Sequence, residues 1–424
     1  MREPATMKGD FMRVMRRVLL AVVLLAAMIL PLEAQRPTTD WTQWRGPNRD
    51  GAAPAPADPQ AWPERLTQKW KVDVGLGYAT PIVVGNRIYQ FARQGEREVM
   101  SALDADTGKV LWQTGHTAIF TMQSATTQHG PGPKSTPAFA NGRLYSIGMT
   151  GIVTAYDAAT GKQVWQKPGS PIVPTFTTHA FSPIVDRGLV IFHVGGDNDG
   201  ALTAFDVNTG DVKWSWKGDG PGYGSPILVD IGGTRQIVTI TQGKLVGVDA
   251  ANGTLLWERP FVIANKTNSV TPVAHGQTII VSGNGGPTTA LAIAKRNDQW
   301  VTDNVWENAD IPLRMSDAVV VGDVLFGLTT RNSGQYFAVD AVTGKTLWTS
   351  EGRQAAHAAI ARAGDLFFSL EDDGELVVAR NSKTGFEQLR RYKVSDAATW
   401  PQAAYSGNRV FVKDISNLSL WTLN

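Results

Sequence analysis

The chain has 424 residues, 42% hydrophobic and 18% charged, with 43 glycines and no cysteine. This composition belongs to a packed, turn-rich globular protein and excludes a disordered tail or a membrane bundle; the missing cysteines exclude disulfides, thiol chemistry, cysteine-ligated metals and a lipidated N-terminal cysteine. The net charge of +2 arises within the first 34 residues, which hold five bases and three acids, so the remainder is formally neutral and offers no footprint for nucleic acid.

In chain order, the first expected element is an export signal over residues 1–34: Arg13, Arg16 and Arg17 precede an apolar run from Val18 to Leu30, closed by Pro31 and the small residue Ala34. Thirteen apolar residues are short for a bilayer span, so the expectation is cleavage, a periplasmic or secreted bacterial protein, and no stable membrane span afterwards. An uncleaved anchor is the competing reading. Residues 35–65, including WTQWRGPNRDG and a Pro/Ala-rich stretch, read as an extended arm lying on the body. Trp41, in that arm, is expected to matter much less to stability than the tryptophans of the body.

From residue 66 onward one phrase recurs: ALDADTGKVLW (102–112), AYDAATGKQVW (155–165), AFDVNTGDVKW (204–214), GVDAANGTLLW (247–257) and AVDAVTGKTLW (338–348), with degenerate copies ending at Trp306 and beginning at Ala379. Each reads as a β-hairpin: alternating apolar residues, an Asp that closes an Asx-type turn, a Gly that supplies positive φ, and a second strand ending in Trp. A second marker, Ser/Thr-Pro, opens a strand upstream of each copy at Pro81, Pro137, Pro183, Pro226 and Pro272, and continues in altered form at Ser316, His357 and Trp400. Eight units of about four short strands, with no amphipathic helix between them, predict an all-β, eight-bladed β-propeller over residues 66–424. The last unit is too short for four strands, while QKWKVDV around Trp70 is an orphan strand, so the N- and C-terminal strands are expected to pair and close the ring.

The phrase AxDxxTGKxxW resembles the tryptophan-docking repeats of PQQ-dependent dehydrogenases and of their non-catalytic, BamB-type relatives in outer-membrane assembly. The resemblance implies that Trp70, Trp112, Trp165, Trp214, Trp257 and Trp348 pack between blades, a role that the burial of one large ring per repeat supports independently. It also implies either a quinone-and-calcium oxidoreductase of alcohols or sugars, or a cofactor-free binding or scaffold protein with envelope partners. The dehydrogenases' vicinal cysteine pair is missing, and no position can be matched to their calcium ligands.

No catalytic or metal motif stands out. The acidic runs at Asp197 and Glu371 fall where hairpins are needed, and the six histidines show no zinc-binding spacing. Propeller geometry places the Ser/Thr-Pro starts around a funnel. Its expected mouth residues are Tyr78, Lys134, His179, Tyr223, Asn268, Arg314, His357 and Trp400, an aromatic and cationic set without a carboxylate, suited to a small-molecule ligand. The sequence-level expectation is therefore a monomeric, exported, non-enzymatic binding or scaffold propeller with no bound cofactor; PQQ with calcium is the alternative.

Overall fold

A computed structural model describes residues 39–174, 176–263 and 267–423; the expected signal over 1–34 lies outside them. Eight four-stranded antiparallel sheets follow one another, each built from consecutive strands except the last. Blade one comprises Ile82–Val84, Arg87–Gln94, Arg97–Asp104 and Val110–Thr117, and blades two to seven repeat the plan from Ala138, Ile184, Ile227, Val273, Val319 and Ala358. Blade eight takes Ala404–Ser406, Arg409–Lys413 and Asn417–Thr422 from the end of the chain and Thr67–Asp73 from its beginning, with Trp70 opposite Leu420. The eight-bladed propeller and its closure by terminal strands are as the repeat predicts.

The hairpin phrase is explained atom by atom. Asp104 Oδ1 accepts from Thr107 N at 2.9 Å and from Thr107 Oγ1 at 2.7 Å, and Gly108 follows at φ 71°. Asp157 with Thr160 repeats the arrangement at 2.8 and 2.7 Å. These bonds to the charged carboxylate hold Asp104 and Asp157 below the usual carboxylate range. A bulge precedes each tryptophan: Ala102 faces Trp112 and Leu103 faces Val110, leaving Leu111 extra and 46% exposed. That extra residue turns the indole toward the next blade. The Trp112 ring covers Gly161, the Trp165 ring Gly210, the Trp214 ring Gly253 and the Trp306 ring Gly344, close enough that a Cβ would fall 2.4 to 2.7 Å from ring carbons. Each indole N–H donates to a carbonyl of the following blade: Trp70 to Ala105, Trp112 to Ala158, Trp165 to Val207, Trp214 to Ala250, Trp306 to Ala341 and Trp348 to Ser382.

Trp257 departs from the pattern because blade five has Asn297-Asp298 where the turn glycine should stand. Its indole donates instead to Gln236 Oε1 of its own blade at 2.7 Å, and the position opposite is Gly247, where a Cβ would sit 2.2 Å from the ring. The ring still packs with Ile279, Leu291 and Ile293 of blade five.

Residues 41–54 do not lie on the outside of the ring. They run along the inner ends of the blades and touch all eight. Trp41 bridges Val83, Thr42 O accepts from Phe139 N, Arg49 donates to the carbonyls of Ser182, Pro183 and Pro226, and Trp44 Nε1 donates to Thr271 Oγ1. Arg45 pairs with Asp317, Ala52 bridges Arg362, and Pro54 O accepts from Gly407 N. The segment crosses the propeller axis and leaves a cavity of 310 Å³ between Arg45, Asn48, Arg49, Asp50 and the inner strands of blades four to seven. Trp41 is fully buried, against 7% exposure for Trp165, so the expectation that Trp41 matters little is corrected. The turn that threads the axis places Arg45 and Arg49 at φ 60° and 59°, conformations held by these contacts.

The same axis explains the Ser/Thr-Pro marker. Thr80 N donates to Thr136 Oγ1, Thr136 N to Ser182 Oγ, and Ser182 N to Ser225 Oγ, each at 3.0 Å, so the hydroxyls form a belt from blade to blade. At blade five the Thr271 hydroxyl receives Trp44, and Thr271 N turns to Asp317 Oδ1 at 2.7 Å. The residue that breaks the marker in sequence is thus the carboxylate that anchors the axial segment.

Blade eight lacks a hairpin between its third and fourth strands, since they come from opposite ends of the chain. Trp62 fills the seam there, its ring 4.8 Å from Phe368 and 6.4 Å from Tyr392 of blade seven, where the bulge leaves Leu389 extra and Arg390 at the position of the docking tryptophan, donating to Trp62 O.

Candidate functional site

On the face that carries the blade-to-blade loops, the axial segment presents Trp44 as the floor of a 180 Å³ cavity. Five of the eight expected mouth residues line it: Tyr78, Lys134, Tyr223, Arg314 and Trp400. Tyr78 and Trp400 form one aromatic wall, with centroids 6.0 Å apart. Tyr223 stands in the lining with its hydroxyl oxygen accepting from Phe176 N at 3.1 Å, which fixes the ring. His129, which meets the Trp400 ring edge-on at 5.2 Å, joins Lys134 and Arg314 as the basic groups.

Burial pulls the Lys134 ammonium down to about 8, and its only hydrogen bonds among the described residues are long ones to the carbonyls of Gly130 and Gly132, at 3.3 and 3.4 Å. Burial, followed by repulsion from Lys134 and Arg314, lowers His129. The Arg314 guanidinium is exposed and forms no hydrogen bond or ion pair among the described residues.

The other three expected residues are placed differently. His357 stacks on Trp400 at 4.8 Å just outside the cavity, and burial takes it to about 4. His179 is fully enclosed behind the loops, with no hydrogen-bond partner for either ring nitrogen among the described residues. Asn268 is a rivet: its amide donates to the carbonyls of Thr241, Gln242 and Phe261 at 2.8, 3.2 and 3.2 Å. Trp44 and His129 escaped the sequence reading. Trp44 lies in a phrase outside the repeat, and His129 in the insertion that makes the first Pro-to-Pro interval the longest.

Among the described residues the lining contains no Asp or Glu. A planar polycarboxylate quinone would find aromatic faces and cations here, but the hard divalent ion that polarises its carbonyl would find no carboxylate oxygen, so the residues present do not fit the quinone–calcium pair. Among the described residues, one carboxylate group could gather an ion: Glu371, Asp373 and Glu375. It lies on the blade-seven hairpin, where Arg391 pairs with both Glu371 and Glu375 and the Tyr336 hydroxyl donates to Glu371.

Comparison with known proteins agrees with the repeat. A family model described as outer membrane protein assembly factor BamB matches residues 95–350. The BamB of Burkholderia pseudomallei (strain K96243) is 26% identical over 300 residues, covering 61% of this chain and 75% of that protein. The BamB of Yersinia pestis is 25% identical over 254 residues, covering 55% and 60%. The dehydrogenase subunit of an Acetobacter aceti alcohol dehydrogenase (quinone) is 32% identical over 163 residues, covering 35% of this chain and 21% of that one. Two solved structures share the fold: BamB from Moraxella catarrhalis, with TM-score 0.61 at 15% identity over 84% of this chain and 99% of that one, and the quinohemoprotein alcohol dehydrogenase of Comamonas testosteroni, with TM-score 0.67 at 15% identity over 92% and 81%. With its hairpin phrase, docking tryptophans and eight blades all falling on or around the matched span, the chain belongs to the PQQ-like propeller family described as outer membrane protein assembly factor BamB.

Proposed function

We propose that this protein is an exported, non-enzymatic binding or scaffold propeller of the bacterial envelope, carried across by a signal over residues 1–34 that is removed, and acting on other envelope proteins. The observation that carries this reading is the composition of the axial cavity: three basic side chains and, among the described residues, no carboxylate, above an axis crossed by residues 41–54. A quinone dehydrogenase needs an electrophilic metal beside its quinone, and the hard oxygen ligands for one are missing from this wall. The extent of the match to the Burkholderia assembly factor, against the short match to the dehydrogenase subunit, supports the same reading. No helix among the described residues is long and apolar enough to cross a membrane.

The quinoprotein reading draws on one feature, the aromatic walls with Lys134 and Arg314, which would suit a planar polycarboxylate. The two separate in one experiment. Purified protein incubated with PQQ and calcium, or PQQ and a lanthanide, should reduce no dye with alcohols or sugars. Metal-dependent turnover that disappears in Lys134→Ala would replace the scaffold with an oxidoreductase.

A further inference from the structure

We infer that the cavity on Trp44 is a metal-independent binding site for a small aromatic carboxylate, its ring held among Tyr78, Trp400 and Tyr223 and its carboxylate met by Lys134 and Arg314. The inference goes beyond the scaffold reading and does not depend on it. Its first support is charge. Lys134 and Arg314 reach the same space from the first and fifth inter-blade loops, and neither is paired with a carboxylate among the described lining residues; the buried Glu98 attracts Lys134 through space without an ion pair between them. Two cations with unspent donors beside apolar walls favour an anion, because water there is displaced and a charge-assisted bond gains strength.

The second support is the character of the walls. Tyr78, Trp400, Tyr223, Phe176 and Trp44 offer faces and edges to a planar ring, which an inorganic anion could not use. A sugar would also stack on them, but a neutral sugar leaves the charges of Lys134 and Arg314 unanswered, and the described lining residues offer its hydroxyl donors only hydroxyls and a histidine, with no carboxylate or amide. The third support is size. At 180 Å³ the space lies below the roughly 300 Å³ at which drug-sized pockets begin, and it suits one or two fused rings with a short acid arm. The floor is preorganised: Trp44 is tied to Thr271 Oγ1 at 2.9 Å, so the ligand finds a fixed surface.

The test is a calorimetric titration of the purified full chain, treated with EDTA, using indole-3-acetate, the neutral indole-3-ethanol and the non-aromatic anion hexanoate. The acid should bind at least about tenfold more tightly than either comparison compound, as one lost charge-assisted contact predicts. Arg314→Ala and Lys134→Met should each weaken the acid by about tenfold and leave the alcohol unchanged. Both side chains reach solvent, and an unaltered unfolding midpoint will show that the variants fold. Equal binding of acid and alcohol, binding that requires added calcium, or no heat from any probe would each overturn the site. None of these results bears on dye reduction, which alone decides between scaffold and dehydrogenase.

Discussion

The carboxylate of Asp317 lies 3.3 Å from the guanidinium of Arg45, and both are buried where the axial segment crosses blade six. Burial outweighs this pairing and pushes Asp317 up. Burial, followed by repulsion from Arg45, draws the neighbouring Arg49 down to about 9. Two cations therefore share one carboxylate, and Arg49 relies on four oxygen acceptors, three of them backbone carbonyls.

Asp317→Ser would restore the hydroxyl of the belt and strand Arg45. The expected loss is about 3 to 5 kcal/mol, the range for removing one partner of a buried pair. Asp303→Asn, which breaks the exposed pair with Arg296, should cost about 1 kcal/mol or less. Denaturant midpoints of the two variants give the comparison. Similar small losses in both would show that the axial pair contributes little.

Trp41→Ala and Trp165→Ala should each cost about 3 to 5 kcal/mol, because both rings are buried and both span chain segments distant in sequence. A Trp41 variant as stable as the parent in urea would mean that the axial segment is dispensable to the ring.

Gly161 and Gly142 have nearly the same φ, 74° and 75°, but only Gly161 is covered by an indole. Alanine at Gly142 should cost about 1 to 2 kcal/mol, the backbone penalty of the left-handed region. Alanine at Gly161 should cost that plus the displacement of Trp112, about 1 to 3 kcal/mol more. Denaturation and the emission maximum of the exposed indole read the two contributions separately.

His179 and His193 are buried and neutral, taken by burial to about 3 and about 4 from an ordinary 6.5. Their unfolded forms gain protons first as pH falls, so the stability they supply is complete above about 6.5 and is lost progressively toward about pH 4 for His193 and about pH 3 for His179. Asp317 and Glu371, with raised values, act in the opposite sense. The histidine share is isolated by His179→Leu, which should match the parent at pH 8 and exceed it at pH 5 by about 2 kcal/mol. Parallel stability curves for the two proteins would exclude His179 as the source.

The sequence made the blades legible because five of the hairpins use the same few atoms: an aspartate to close the turn, a glycine to pass under the preceding indole, and a tryptophan placed by a bulge. It left the axis illegible. Residues 41–54 follow no period, since their contacts fall on eight different blades, and nothing in WTQWRGPNRDG says that Arg45 answers Asp317. Of the mouth residues, Tyr78 and Trp400 could be placed from their distance to the strand start. Asn268 and His179 could not, because their side chains turn back into the loops to satisfy or avoid backbone groups that only the folded loops define.

The order in which partners leave the ribosome sets a further constraint. The axial residues and the strand Thr67–Asp73 are made before the blades they join, yet their contacts with Gly407 and with Asn417–Thr422 must wait until seven blades have been made. Such pairing across the sequence is slow to form, and an unpaired strand edge is open to association while it waits. Refolding should therefore end in a late, closure-limited phase in which Trp41 and Trp62 become buried together, and the hours or seconds before that phase are when this protein is most in need of protection from its neighbours.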